Sequence, residues 1–131
     1  MIFGAMDTSA SGLTAQRFEM NVIADNLANV DTTVTPAGGP FRAQMAVLAP
    51  LPLSATRSGG VAVVGLASDT SPFPLNYDPG APGANAQGYV AMPNVNVTAQ
   101  MVDLLAASQA YQANVTAFSD FVKEGQSALQ I

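Results

Sequence analysis

Asp69 and Asp78 are the carboxylates whose placement first suggests chemistry, because they flank a proline-rich segment. Paired carboxylates serve in acid/base catalysis when burial tunes them, and in calcium binding when further oxygen ligands surround them. The sequence supplies neither condition here. The chain also has no His and no Cys, which removes imidazole bases, thiolate nucleophiles and the common zinc ligands. We therefore expect no catalytic residue, no cofactor, no metal site and no small-molecule substrate.

The charge of the chain points in another direction. Its 131 residues suit a single domain, and 4 basic against 9 acidic residues give a net charge of −5. Such a chain has no basic field to hold nucleic acid or an anionic membrane surface. Charged residues make up only 10% of the sequence and hydrophobic ones 49%, whereas soluble domains average about 25% charged residues. So few charges do not cover the surface of a free monomer, and we expect a subunit of an assembly.

Neither a leader nor a membrane span is expected from the sequence. The first basic residue is Arg17, so the start of the chain lacks the positive region of a secretory signal peptide. The longest uncharged run, 79–102, is interrupted by prolines and glycines and is unsuited to a membrane helix.

Prolines and glycines divide the chain into three segments. All nine prolines and eight of the eleven glycines lie between Pro36 and Pro93. We expect a mainly α fold, in which long N- and C-terminal helices form an antiparallel, coiled-coil-like pair around a Pro/Gly-rich insert with a few short strands. The predicted segments are an N-terminal helix over 1–31, an insert over 32–93 and a C-terminal helix over 94–131, all in one domain.

The N-terminal segment carries an apolar heptad pattern that predicts a helix with one packing face. Asp7 or Ser9 is the expected N-cap, and small residues such as Ala10 and Ala24 would let a second helix approach closely. The residues assigned to helix packing are Leu13, Met20, Ile23, Leu27 and Val30.

The C-terminal segment alternates steps of four and three residues from Val97 to Leu129, which is the spacing of a coiled-coil seam. Asn94 or Asn96, just after Pro93, is the expected N-cap. The residues assigned to packing here are Met101, Leu104, Tyr111, Val115, Phe118 and Val122.

Three asparagines accompany the two seams: Asn26, Asn29 and Asn114. A buried polar residue can fix the register of paired helices, and Asn also closes helix ends. The alternative is that all three are solvated amides. We favour a role in register or at helix ends.

The middle segment predicts two or three short strands. Residues 41–48 alternate after a Gly-Gly-Pro turn, and residues 61–66 follow the glycine pair Gly59-Gly60. The stretch 72–93 is so rich in proline and glycine that we expect no regular structure in it.

Three stretches of sequence resemble the bacterial flagellar rod, hook and axial protein family. They are SASGLTAQRFEMNVIADNLANVDTT near the start, NYDPGAPGANAQGYVAMPNVNV in the insert and MVDLLAASQAYQANVTAF in the last helix. The second and third are most similar to the proximal-rod members of the family. Together with a TPAGGPF turn, they occur in the family's order over about two thirds of the chain.

The resemblance implies a non-enzymatic structural subunit of the periplasmic rod in the flagellar basal body. Such a subunit is exported by the flagellar type III apparatus without a cleaved signal peptide. Its implied partners are copies of itself, other rod proteins and the junction protein between the export gate and the rod. It would assemble through its terminal helices into a tubular drive shaft that transmits torque and encloses the export channel.

Two other classes of function remain open at this point. A cytoplasmic helical-hairpin adaptor or export chaperone would have the same helix pair, but with a charged outer face. An enzyme would need a deep pocket with strongly perturbed carboxylates, and it is the weaker alternative.

Overall fold

Two terminal helices frame the chain in the computed structural model, which describes residues 2–55 and 58–130, apart from the side chain of Ile2. Helix α1 covers Ile2–Ala28 and helix α2 covers Val97–Leu129. They make up 47% of the described residues, so helix is the largest class although strands and loops together exceed it. The expectation of two terminal helices around an insert with short strands is confirmed. The predicted segments also include Met1, Thr56, Arg57 and Ile131, which lie outside the described residues.

The start of α1 differs from the expectation. The helix already runs through Asp7 and Ser9, so the prediction that either residue caps it is wrong. The first turns are held by a tertiary contact, in which the Ser58 hydroxyl donates a hydrogen bond of 2.7 Å to the carbonyl of Gly4. The sequence around the helix start does not predict this contact. The cap of α2 is confirmed at Asn96, whose side-chain oxygen accepts the Ala99 N–H at 3.0 Å.

The two helices run antiparallel and contact each other along much of their length. Near the end of α1, Asn26 meets Gln100 at the start of α2, whereas Gln16 in mid-helix meets Asn114 further along α2. Gly12 provides the room for Asn114, because a Cβ atom at position 12 would lie 2.8 Å from the Asn114 amide nitrogen. This glycine therefore permits a close helix–helix approach instead of merely weakening the helix.

A β-hairpin packs on α1. Strand β1 (Gln44–Leu51) pairs antiparallel with β2 (Gly60–Ser68), and a register shift between Val47 and Leu48 marks a bulge. The hairpin meets α1 through hydroxyl groups. The Ser11 hydroxyl accepts the Val61 N–H at 3.2 Å, and the Thr8 hydroxyl donates to the Gly59 carbonyl at 3.3 Å.

A second two-stranded ribbon lies in the segment for which we expected no regular structure, so that expectation is wrong. Strand β3 (Leu75–Tyr77) pairs antiparallel with β4 (Tyr89–Ala91). The rings of Tyr77 and Tyr89 pack edge to face with centroids 5.3 Å apart. Gly88 has a φ of 85° beneath Tyr77, a conformation that favours glycine.

A polar joint ties the base of the hairpin to the start of α2. The Asn94 side chain accepts the Ala43 N–H at 2.8 Å and donates to the carbonyls of Asp69 and Ser71, each at 3.1 Å. The Arg42 guanidinium donates to the same two carbonyls and lies 4.2 Å from the centroid of the Phe73 ring. The Asn94 and Arg42 side chains thus provide hydrogen-bond partners for backbone carbonyls that a neighbouring strand would otherwise pair.

Asn26 joins α1, the hairpin and α2 at one point. It is 1% exposed, and its amide nitrogen donates to the Gln44 carbonyl at 2.8 Å and to the Gln100 side-chain oxygen at 3.1 Å. Its own oxygen accepts the Gln44 N–H at 3.0 Å. The carboxamide therefore pairs with the first residue of β1 as a neighbouring strand would, because it offers both a donor and an acceptor.

We expect Asn26→Ala to lower the free energy of unfolding by about 2–3 kcal/mol, because the Gln44 N–H and carbonyl lose their partner in a buried position. Asn29→Ala is the matched control, since Asn29 bonds only within its own helix end. It should cost less than about 1 kcal/mol. Urea unfolding of both variants at equal concentration measures the difference, and equal losses would contradict a special role for Asn26.

The Asp69 carboxylate accepts hydrogen bonds from the side chain and the backbone N–H of Ser71, and the positive charge of Arg42 is nearby. These contacts favour the ionised carboxylate, so the pKa of Asp69 lies below the ordinary value of 3.8. The ionised Asp69 carboxylate therefore stabilises the folded chain. This contribution is fully present above the pKa that Asp69 has in the unfolded chain, and it is lost as the pH falls through the lower pKa of the folded chain. We expect Ser71→Ala to raise the Asp69 pKa toward 3.8, as measured by NMR titration of the carboxyl carbon. Thr70→Ala should leave it unchanged, and an unmoved pKa in Ser71→Ala would show that the hydroxyl is not the main cause.

Candidate assembly surface

The packing residues predicted for the N-terminal helix are at most partly exposed, and Val30 lies two residues beyond the end of α1 at Ala28. Ile23 is buried, at 9% exposure. The others are half-buried: Leu13, Met20, Leu27 and Val30. Their partial exposure leaves apolar area accessible to solvent within a single chain.

The packing residues predicted on α2 divide into two groups. Leu104, Tyr111, Phe118 and Val122 are half-buried, whereas Met101 and Val115 remain 58% and 38% exposed. A heptad repeats every 3.5 residues, but a straight helix has 3.6 per turn, so the seam drifts by about 20° per heptad. Over the 33 residues of α2 a strict heptad therefore cannot keep every seam position on one face of a straight helix. Ala107, off the predicted seam, is the buried residue of α2 instead.

The three predicted asparagines occupy three different environments. Asn26 is the buried junction described above, and Asn114 donates to the Gln16 side-chain oxygen at 3.0 Å between the helices. Asn29 acts at the end of α1, where its amide donates to the Asp25 carbonyl at 2.8 Å and its oxygen accepts the Thr32 hydroxyl. The sequence pattern identified these residues, but not the backbone of β1 as the partner of Asn26.

The chain exposes far more surface than a globular protein of its mass. Its accessible area is 8552 Å² for 13.4 kDa, whereas a folded monomer of that mass has about 6,500 Å². The excess is about 2,000 Å², and one partner in a standard protein–protein interface buries about 800 Å². The fold of one copy therefore leaves an area equivalent to more than one interface uncovered.

Much of the exposed surface is apolar, and sequence reasoning missed several of its residues. On the outer side of α2, Met101 lies beside Val102 and Leu105, which are both 60% exposed. The adjacent pair Leu104-Leu105 indicates a second apolar face on the outer side of α2. Two neighbouring residues of a helix cannot both face the same partner, so one of the two leucines must point away from α1. The hairpin also exposes Met45, Val47, Val64 and Leu66.

The two helix ends form an apolar groove of about 520 Å³ where the start of α1 meets the end of α2. Phe3 and Leu129, at 79% and 89% exposure, stand at its rim, and Met6, Phe121 and Val122 line its interior. An apolar groove open to water is typical of a surface that another chain covers.

Within residues 2–55 and 58–130, the acidic residues form no group of three or more that would hold a metal ion. Asp69 belongs to the structural joint, and Asp78 lies in an exposed turn where its carbonyl accepts the Ala81 N–H. Neither described helix has the length and hydropathy that crossing a bilayer requires.

Comparison with known proteins gives a consistent result at both ends of the chain. Residues 6–34 match the family model for flagella basal body rod proteins. Residues 86–122 match the model for the C-terminal part of flagellar basal body rod FlgEFG proteins. These two ranges contain most of α1 and most of α2.

Full-length relatives cover nearly the whole chain. The flagellar basal-body rod protein FlgC of Borreliella burgdorferi is 38% identical, with 99% of this chain and 97% of that protein covered. FlgC of Bacillus subtilis is 41% identical with 89% of each covered. FlgC of Escherichia coli O6:H1 is 43% identical, with 87% of this chain and 85% of that protein covered.

Leu104 and Leu105 provide a matched test of the two faces of α2. We expect Leu104→Ala to lower the free energy of unfolding by about 1–2 kcal/mol, because half-buried methyl groups lose contacts with α1. Leu105→Ala should change it by less than about 0.5 kcal/mol, because its side chain has little covering it in one copy. Urea unfolding of the dilute chain compares them, and equal losses would contradict the assignment of inner and outer faces.

Proposed function

The chain belongs to the FlgC family of bacterial flagellar basal-body rod proteins and is a structural subunit of the rod; we propose that its two helices and its hairpin build the rod wall by packing against neighbouring subunits. The observation that carries this proposal is the excess of accessible surface, much of it apolar and located on α2 and the hairpin. A drive shaft needs many simultaneous contacts that hold under load. Apolar and small side chains provide dense contacts that salt screens little.

The helix pair is the proposed wall of a tube that transmits torque and surrounds the export channel. In this arrangement the coiled-coil-like seam residues act in two ways. Leu104, Tyr111, Phe118 and Val122 hold α2 against α1 within one copy. Met101 and Val115, which α1 leaves exposed, would contact a neighbouring subunit, together with the outer residues of α2.

The proposed partners are copies of this chain, other rod proteins and the junction protein between the export gate and the rod. The chain belongs to the flagellar basal body, and we propose that it reaches the periplasmic rod through the flagellar type III apparatus without cleavage of a signal peptide. Its relatives are structural rod proteins, and we propose no catalytic role for it.

A cytoplasmic adaptor or export chaperone is the competing function, and the character of the outer helix face separates it from a rod subunit. An adaptor that remains in solution needs a charged outer face, whereas α2 presents Met101, Val102 and Leu105 there. Fractionation of flagellated cells distinguishes the two, because a rod subunit copurifies with basal bodies and an adaptor stays in the soluble cytoplasmic fraction.

We expect Leu105→Asp to abolish incorporation into the rod and motility, because it places an unpaired charge in a dry contact between subunits. Leu105→Met is the matched control, since it keeps an apolar side chain of similar volume and should support normal motility. The measurements are the amount of the chain in purified basal bodies and swimming in soft agar.

The folded state of both variants is checked by circular dichroism, because Leu105 is exposed in one copy and neither change should unfold it. Normal incorporation of Leu105→Asp would mean that the outer face of α2 does not contact other subunits. Loss of incorporation in both variants, with native folding, would mean that the site demands leucine for a reason other than burial.

A further inference from the structure

A groove with an acidic rim lies between α1, β1 and the first half of α2. Its volume is about 510 Å³, and its apolar lining includes Ile23, Ala107 and Ala110. Two carboxylates, Glu19 from α1 and Asp103 from α2, also line it, whereas no Lys or Arg among the described residues does. We call this feature the acid-rimmed groove. Its chemistry suits an apolar segment that carries one positive charge near its middle.

The outer face of α1 has that chemistry. Arg17 is exposed, and six residues lie three, four or seven positions away from it on the helix surface. Thr14 and Asn21 are polar, whereas the other four are apolar or small: Ala10, Leu13, Met20 and Ala24. We call this set, with Arg17, the arginine face of α1.

The other described basic side chains do not combine charge with an apolar setting. Arg42 is engaged with the carbonyls of Asp69 and Ser71 and with the Phe73 ring. Lys123 is exposed beside polar residues of α2, including Asp120 and Glu124. Among the basic residues within 2–55 and 58–130, Arg17 alone lies on a helix with apolar side chains at these spacings.

One copy cannot fill its own groove with this face. Arg17 and Glu19 are two positions apart on α1, and residues at that spacing point to different sides of a helix. The arginine face and the acid-rimmed groove are therefore separate patches of one molecule, and contact between them requires two copies. A contact between different patches of identical subunits is heterologous, and its repetition generates rings or open helical arrays.

We propose that the arginine face of one copy docks in the acid-rimmed groove of the next, with Arg17 between the carboxylates of Glu19 and Asp103. This inference rests on the proposed rod function and identifies a second copy of the chain as the partner at this groove. The small residues Ala10 and Ala24 on one side, with Ala106 and Ala110 on the other, permit a short interaxial distance of about 8 Å. The apolar contact removes side-chain area from water, and the opposite charges determine which patch of one copy docks on which patch of the next.

Charge reversal with rescue tests the proposal in flagellated cells, with incorporation into purified basal bodies as the readout. Arg17→Glu and Asp103→Arg should each lower incorporation by about tenfold or more, because each juxtaposes like charges in the interface. The double variant restores one pair of opposite charges in every contact, since each copy supplies both patches. It should recover to within about twofold of the unaltered chain.

Lys123→Glu is the control, since it makes the same change of charge outside both patches and should incorporate normally. Arg17, Asp103 and Lys123 are all exposed, so none of these changes should unfold the chain. No recovery in the double variant, or an equal loss in Lys123→Glu, would overturn the proposal.

A photo-crosslinking residue in place of Ala24 identifies the occupant directly. The expected product joins two copies of this chain, with the adduct on residues of the acid-rimmed groove. An adduct to a different rod protein would overturn the assignment of a second copy. If Arg17→Glu incorporates normally while Leu105→Asp does not, this interface is wrong and the rod function stands. If both incorporate normally, the proposed packing surfaces fail as well.

Discussion

The buried carboxamide of Asn26 is the contact on which the arrangement of the three main elements depends. A helix, a strand and a second helix meet there, and only a side chain with both a donor and an acceptor can pair with a strand residue in both directions. An apolar residue of similar size would fill the space but would make no hydrogen bonds, so it would not fix the positions of β1 and α2 relative to α1. The same carboxamide reaches Gln100, so it sets the register of the helices as well as the position of the hairpin. The chain thus obtains a defined shape from a small set of buried residues.

That small set explains why the molecule has two kinds of surface. The buried apolar side chains among the described residues include three alanines, Ala15, Ala43 and Ala107, so one copy removes little area from water. Larger apolar residues such as Leu105 and Phe3 remain outside. In a chain with so few charges, these residues are the ones for which we propose burial between subunits. The stability of each copy and that of the rod then draw on different residues, and a substitution can weaken one without the other.

The sequence predicted the elements better than their contacts. The heptad spacing identified both helices, and the position after Pro93 limited the cap of α2 to Asn94 or Asn96, because periodicity and capping are local properties. The start of α1 was wrong because its first turns are held by Ser58, more than fifty residues away. The ribbon of β3 and β4 was missed because its partners are separated by a proline-rich loop, and pairing across a loop leaves little local pattern. Asn26 was identified as a polar register residue, but its strand partner is not readable from periodicity.

The loop between β3 and β4 has a consequence for how such a subunit can change in size. Residues 79–87 lie in it and are mostly exposed. The ribbon closes beneath it through Tyr77, Tyr89 and Gly88, so the chain enters and leaves the loop at neighbouring points. Extra residues accommodated there would enlarge the subunit without altering the path of either helix. A thicker rod could thus be built from the same helix pair, because the β3–β4 ribbon already fixes the base of any segment added to the loop.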